Sequence, residues 1–126
     1  MELAIQKISA ISFFIIGLSH ILQPRAWAEF FIYLRSKGHP GVFMVGFIHL
    51  PLGALIVGFH HVWHGLPLIL TLMGWGWCLK SLIYFVYPQQ GLRMLQQVSV
   101  ERAQGFVVAG VLLLTVATLL AYAIYF

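Results

Sequence analysis

Lys80 stands inside an otherwise apolar stretch from Leu66 to Tyr87, and His49 stands inside another from Gly41 to His60. An ionisable side chain held in such company faces a bundle interior, a wet cavity or a ligand. Lys80 precedes Tyr87 by seven residues, which at ~1.5 Å per residue places it about 10 Å from that helix end. His49 follows Gly41 by eight residues, about 12 Å from its own end on the same rise. If the two stretches are antiparallel helices, the amine and the imidazole reach matching depths. Trp77 and Tyr84 share the helical stripe of Lys80, with Met73 and Tyr87. Gly46, His49 and Gly53 form a stripe of their own, and Phe13, Gly17 and His20 form a third. The spacing therefore predicts a polar and aromatic cluster of Lys80, His49, His20, Tyr84 and Trp77, suited to an anionic lipid or an apolar ligand. The carboxylates are Glu2, Glu29 and Glu101, with no Asp, so none lies among these residues. Unless the amine is uncharged, an anion or a headgroup must supply the counter-charge. A plainer role fits the same residues: Lys80 extending its stem to the interface, His49 as an interhelical hydrogen-bonding group, and the aromatic rings as core.

Other chemistry is thinner. His60, His61 and His64 crowd one short turn, and a helical His60/His64 pair could share a metal through its imidazoles. A catalytic zinc site takes three well-placed ligands, and no carboxylate is near to orient them, so the turn reads as a polar interfacial segment anchored by Trp63. Bis-histidine haem needs two imidazoles at one depth on facing helices. His20 and His49 differ by roughly 8–9 Å on the rise estimate. A redox subunit holding haem, or a quinone between His49 and Tyr84, is the second reading; an oligomeric anion channel or small transporter is the third. Paired catalytic carboxylates, a Ser/His/Asp set within the membrane and a phosphate-cradling glycine loop are all missing. The sequence thus points away from an enzyme and assigns no cofactor. Cys78 is the single cysteine and reads as a buried structural thiol.

The elements that must hold these groups follow from composition. The chain has 126 residues, 61% apolar and 8% charged, against about 45–50% and ~25% for a soluble domain. That excludes a soluble fold, and seven Lys/Arg are too few and scattered for a nucleic-acid stripe. Crossing the ~30 Å hydrocarbon layer takes about 20 apolar residues. Four stretches suffice, at about residues 3–22, 41–60, 66–87 and 105–126, in a single membrane domain. They are apolar on all sides, which disfavours the alternation of a membrane β-barrel. The fold class is all-α: a four-helix transmembrane bundle, up-down-up-down. Ala26-Trp27-Ala28 resembles a signal-peptide cleavage site, but Pro24 and Arg25 crowd it, and the first stretch is read as a retained helix. Pro51 should kink the second.

Gln23–Pro40 and Pro88–Gln104 mix cations with apolar residues and read as two interfacial amphipathic segments, each a short helix. They carry Arg25, Arg35, Lys37, Arg93 and Arg102, whereas the opposite side carries Lys7. The excess of Lys/Arg marks the cytoplasmic side, so both termini and the histidine turn are expected outside. Small-residue stripes (Gly46/Gly53; Ala103/Gly110/Ala117) predict close helix contacts, some between protomers.

Gly17-Leu18-Ser19-His20 followed by Gln23-Pro24-Arg25-Ala26-Trp27, and Gly74-Trp75-Gly76 through Lys80 to Tyr87-Pro88, resemble the DoxX-like superfamily of small four-helix membrane proteins. The resemblance covers Ile8 to Pro88. It implies a bacterial inner-membrane fold and a link to respiratory or thiol-redox assemblies, and it draws attention to Lys80 and His20. The absence of a Cys-x-x-Cys pair departs from a thiol-redox role. The expected partners are the lipid bilayer and a membrane complex or further copies of the chain, with no nucleic acid.

Overall fold

The computed structural model describes residues 1–126. Six helices follow in order: α1 (Glu2–Leu22), α2 (Pro24–Ser36), α3 (His39–Phe59), α4 (Leu68–Val86), α5 (Pro88–Leu95) and α6 (Gln104–Tyr125). Four of them, α1, α3, α4 and α6, are long and apolar enough to cross a bilayer. The chain is a small four-helix membrane protein. Its surface agrees: 26 of 126 residues are buried, and Phe14, Phe47, Leu79 and Leu112 are each more than half exposed, as lipid-facing side chains should be.

Proline sets two of the joints. Gln23 and Tyr87 each precede a proline, which disfavours helical backbone at that residue. Both leave the α region, at φ −130°, ψ 51° and φ −124°, ψ 68°. Each proline then opens the next helix at a position where its missing N–H costs nothing. One device, used twice, turns a spanning helix into a shorter helix at its end. The α2–α3 joint instead uses Gly38 at φ 66°, a left-handed conformation open to glycine at little cost.

The spanning helices associate as two antiparallel pairs, α1 with α6 and α3 with α4. Gly17 and Gly110 set the first crossing. A Cβ on Gly17 would lie 2.9 Å from the Gly110 carbonyl oxygen, and one on Gly110 would lie 2.7 Å from that of Gly17. In the second pair, Gly46 faces Phe85, Gly53 faces Trp77 and Cys78, and Gly74 faces Ile56. These glycines therefore serve contacts within the chain. A core of Ile5, Phe13, Ile56, Leu70, Val116, Ala117 and Leu120 joins the pairs. A second core, Leu34, Val42, Val45, Tyr84 and Leu95, seats α2 and α5 on the hairpin. α3 continues through Pro51 as one helix, with no break in its helical run.

The Glu2 carboxylate accepts a hydrogen bond from the His61 backbone N–H at 3.2 Å, so the start of α1 lies beside the α3–α4 turn. At the other end Arg35, on α2, donates to the carbonyls of Leu95, Gln96 and Val98 at 3.2, 3.4 and 2.8 Å. The two connections thus share one end of the bundle. The second connection departs from the expected amphipathic helix: it is helical only to Leu95, and residues 96–103 are turns and irregular backbone. β-branched Val98 and Val100 and the hydroxyl of Ser99 favour helix weakly. The Arg35 cation, set among the last carbonyls of α5, stabilises that early end.

Candidate functional site

Two polar clusters lie at opposite ends of the bundle. Lys80 and His49 form the one nearer the connections. His49 Nδ1 donates to the Val45 carbonyl one turn earlier, at 2.8 Å. A carbonyl can only accept, so this bond fixes the imidazole tautomer and leaves the Nε2 lone pair free. Lys80 Nζ donates to that nitrogen across a longer 3.4 Å. The same ammonium lies 5.7 Å from the centre of the Tyr84 ring, within cation–π range. Trp77 stands with its ring 6.4 Å from that of His49 and meets Phe13 of α1 edge-on at 5.4 Å. Lys80, His49 and Trp77 are half-buried and Tyr84 is buried. Ser81, beside Lys80, donates to the Gly46 carbonyl at 3.3 Å. The one ion pair in the protein is the exposed Arg25–Glu29 contact, so no carboxylate balances Lys80.

The structure therefore brings together four of the five residues expected in one cluster. His20 is held elsewhere. Its ring stacks on Trp27 at 4.1 Å and approaches Phe106 at 5.8 Å, while Nδ1 donates to the Ile16 carbonyl at 2.8 Å. Trp27 in turn donates to Ser19 Oγ at 2.8 Å. His20 thus sits against Trp27 and Phe106 and His49 against Lys80 and Trp77, so the two imidazoles have different neighbours.

The second cluster lies at the terminal end and has a different character. His60, one residue past α3, is 1% exposed. Thr71 Oγ1 donates to the Val62 carbonyl at 2.7 Å, so the same oxygen accepts from His60 Nδ1 at 2.8 Å. The other ring nitrogen accepts from the Gln6 amide at 3.0 Å. Three elements are thereby tied through one neutral imidazole with both nitrogens occupied. Burial holds its pKa below the ordinary histidine value, against the opposing pull of the Glu2 carboxylate. His61 Nε2 turns to the Gly58 carbonyl at 3.1 Å. His60, His61 and His64 do not converge: the protein contains no group of three His, Cys, Asp or Glu side chains placed to hold a metal. Beside Gln6 on α1, Ser9 is fully buried with its hydroxyl unpartnered.

Gln6, Ser9 and Thr71 were not singled out from the sequence, although Gln6, Ser9 and Phe13 share one face of α1. That polar stripe was the available signal; nothing local indicated that Thr71 would meet it. No family model, curated protein or solved structure matches this chain.

Proposed function

We propose that this protein is a small membrane subunit or accessory protein, not an enzyme, that binds an anionic lipid or an otherwise apolar ligand with an anionic group at Lys80 and His49. The observation that carries this reading is the ammonium whose partners within the chain, an imidazole nitrogen and a phenol ring, are both uncharged. Half-burial strengthens its attraction for an incoming anion relative to a solvated lysine, and Trp77 and Tyr84 offer apolar surface to the remainder of the ligand. The five Lys/Arg at the connection end, against Lys7 near the other, support a cytoplasmic location for that end and termini outside. A bacterial inner membrane, membership of the DoxX-like superfamily and a place in a larger membrane complex are parts of the same proposal, carried by the short motifs around His20 and Lys80.

The test is the lipid and small-molecule content of the purified protein. Lys80→Met is expected to lose an anionic component that the unaltered protein retains, while His49→Gln weakens its retention less. Equal content in both proteins would overturn the reading. A Soret band in the visible spectrum would favour a haem-binding redox subunit instead.

A further inference from the structure

α4 has a second face that the Lys80 cluster leaves unused. Leu72, Trp75, Leu79, Leu82 and Val86 recur at steps of three or four residues, and each is more than half exposed. On a helix turning ~100° per residue, the line through Leu79, Leu82 and Val86 lies about 145° from that through Lys80 and Tyr84. This apolar strip runs down to the joint between α4 and α5. There Val86, Tyr87, Pro88, Gln89, Gln90 and Arg93 border an open hollow of about 360 Å³.

Arg93 has an unusual standing among the cations at this end. Arg25 is paired with Glu29 at 3.2 Å. Arg35 is spent on three carbonyls, Lys37 lies 5.1 Å over the Tyr33 ring, and Arg102 donates to the Gln97 carbonyl at 3.5 Å. Arg93 makes no hydrogen bond, ion pair or ring contact within the chain, and it borders the hollow with two amide side chains one turn before it. No carboxylate borders the hollow. A guanidinium matches phosphate geometry with paired N–H donors, and the amides add donors suited to the remaining oxygens.

We propose that this hollow binds the headgroup of an anionic phospholipid. Arg93 would hold the phosphate, Gln89, Gln90 and the Tyr87 hydroxyl would meet phosphate or glycerol oxygens, and the acyl chains would lie along Val86, Leu82 and Leu79. The strip is the reason to choose a lipid over free phosphate. A bare anion would use the guanidinium and leave the adjoining apolar surface without a role. The site is separate from Lys80, on another face of the same helix, and stands or falls independently of it.

Native mass spectrometry of the full chain, released from nanodiscs of mixed phosphatidylglycerol and phosphatidylcholine, tests the proposal. The unaltered protein should retain phosphatidylglycerol in preference to phosphatidylcholine. Arg93→Gln should weaken that retention about tenfold, the scale of one lost charge-assisted contact, and Arg93→Lys should restore part of it. Because Arg93 is exposed and makes no hydrogen bond, ion pair or ring contact within the chain, its substitution should leave the packing unchanged, and an unaltered melting temperature checks this. Lys80→Met should leave this lipid bound, and the double variant should lose one more lipid than Lys80→Met alone. Phosphatidylglycerol retention equal in the unaltered and Arg93→Gln proteins would overturn the site without touching the reading at Lys80. Displacement of the lipid by millimolar inorganic phosphate would overturn the phospholipid as its occupant.

Discussion

The imidazoles of His60 and His49 are chemically alike, and each fixes its tautomer by donating through Nδ1. Their surroundings separate them. His60 is enclosed, with contacts of 2.8 and 3.0 Å that leave neither ring nitrogen free. His49 is half-buried, and its second nitrogen meets an ammonium at 3.4 Å that has no counter-charge. The first arrangement is complete and acts as a clamp between α1, the α3–α4 turn and α4. The second has unspent hydrogen-bonding and electrostatic capacity, which the proposed ligand would use. Burial and satisfaction, more than residue type, distinguish a structural histidine from a binding one.

Substitution should widen this contrast. His60→Ala removes a buried ring and strands the Gln6 amide, while the Thr71 hydroxyl keeps its bond to the Val62 carbonyl. The unsatisfied amide and the cavity together are expected to cost about 2–4 kcal/mol. The corresponding loss for His49→Ala, whose site is open and whose second bond is long, is expected to stay below about 1 kcal/mol. Thermal unfolding in one detergent measures both, and equal losses would erase the distinction.

Acidification should separate the two ends next. The folded state holds the His60 pKa below its ordinary value of 6.5, so the unfolded chain takes up the proton first. The associated stability is fully present above the unfolded pKa and is lost as pH falls through the lower folded value. The slope is at most about 1.4 kcal/mol per pH unit for one group. Glu2 and His61 are the other titratable groups facing His60. Melting temperatures between pH 8 and 5 should therefore fall in the unaltered protein, and His60→Gln should flatten the curve.

Ser9→Ala tests the one imperfection of the enclosed end. Its hydroxyl is buried without a partner, so removing it is expected to stabilise the protein by about 1 kcal/mol. A loss of that size would show that the hydroxyl is bonded. The smallest effect on stability is expected from Lys80→Met. It removes an uncompensated charge while retaining most of the stem's packing, so the melting temperature should hold or rise by a few degrees even as ligand retention falls.

Much of the fold was legible because the bilayer imposes its own length. Four apolar stretches of about twenty residues read as spans, and Gln23-Pro24 and Tyr87-Pro88 mark two of their ends. The rise per residue was enough to bring Lys80 and His49 to one depth. The position of His20 toward the same end of its helix suggests it for the same cluster. Depth along a helix says nothing of which neighbour it will face, and the ring went to Trp27 and Phe106. The amphipathic composition of residues 96–103 suggests helix, whereas the carbonyl-capping by Arg35 that ends α5 early comes from a residue some sixty positions earlier in the chain.

Composition and spacing alone determined that this chain carries four stretches able to cross a membrane and an amine with no acid in its own stretch. Those properties follow from hydrophobic length and from counting charges, which require no partner. Tertiary structure decided which histidine is spent and which is left with capacity. It also decided that the Gly17 and Gly110 backbones meet each other and that Arg93 alone among the connection-end cations goes unpartnered. Such outcomes depend on the rotation of each helix about its axis. That rotation is set by the packing of all six helices together, so no single segment contains it.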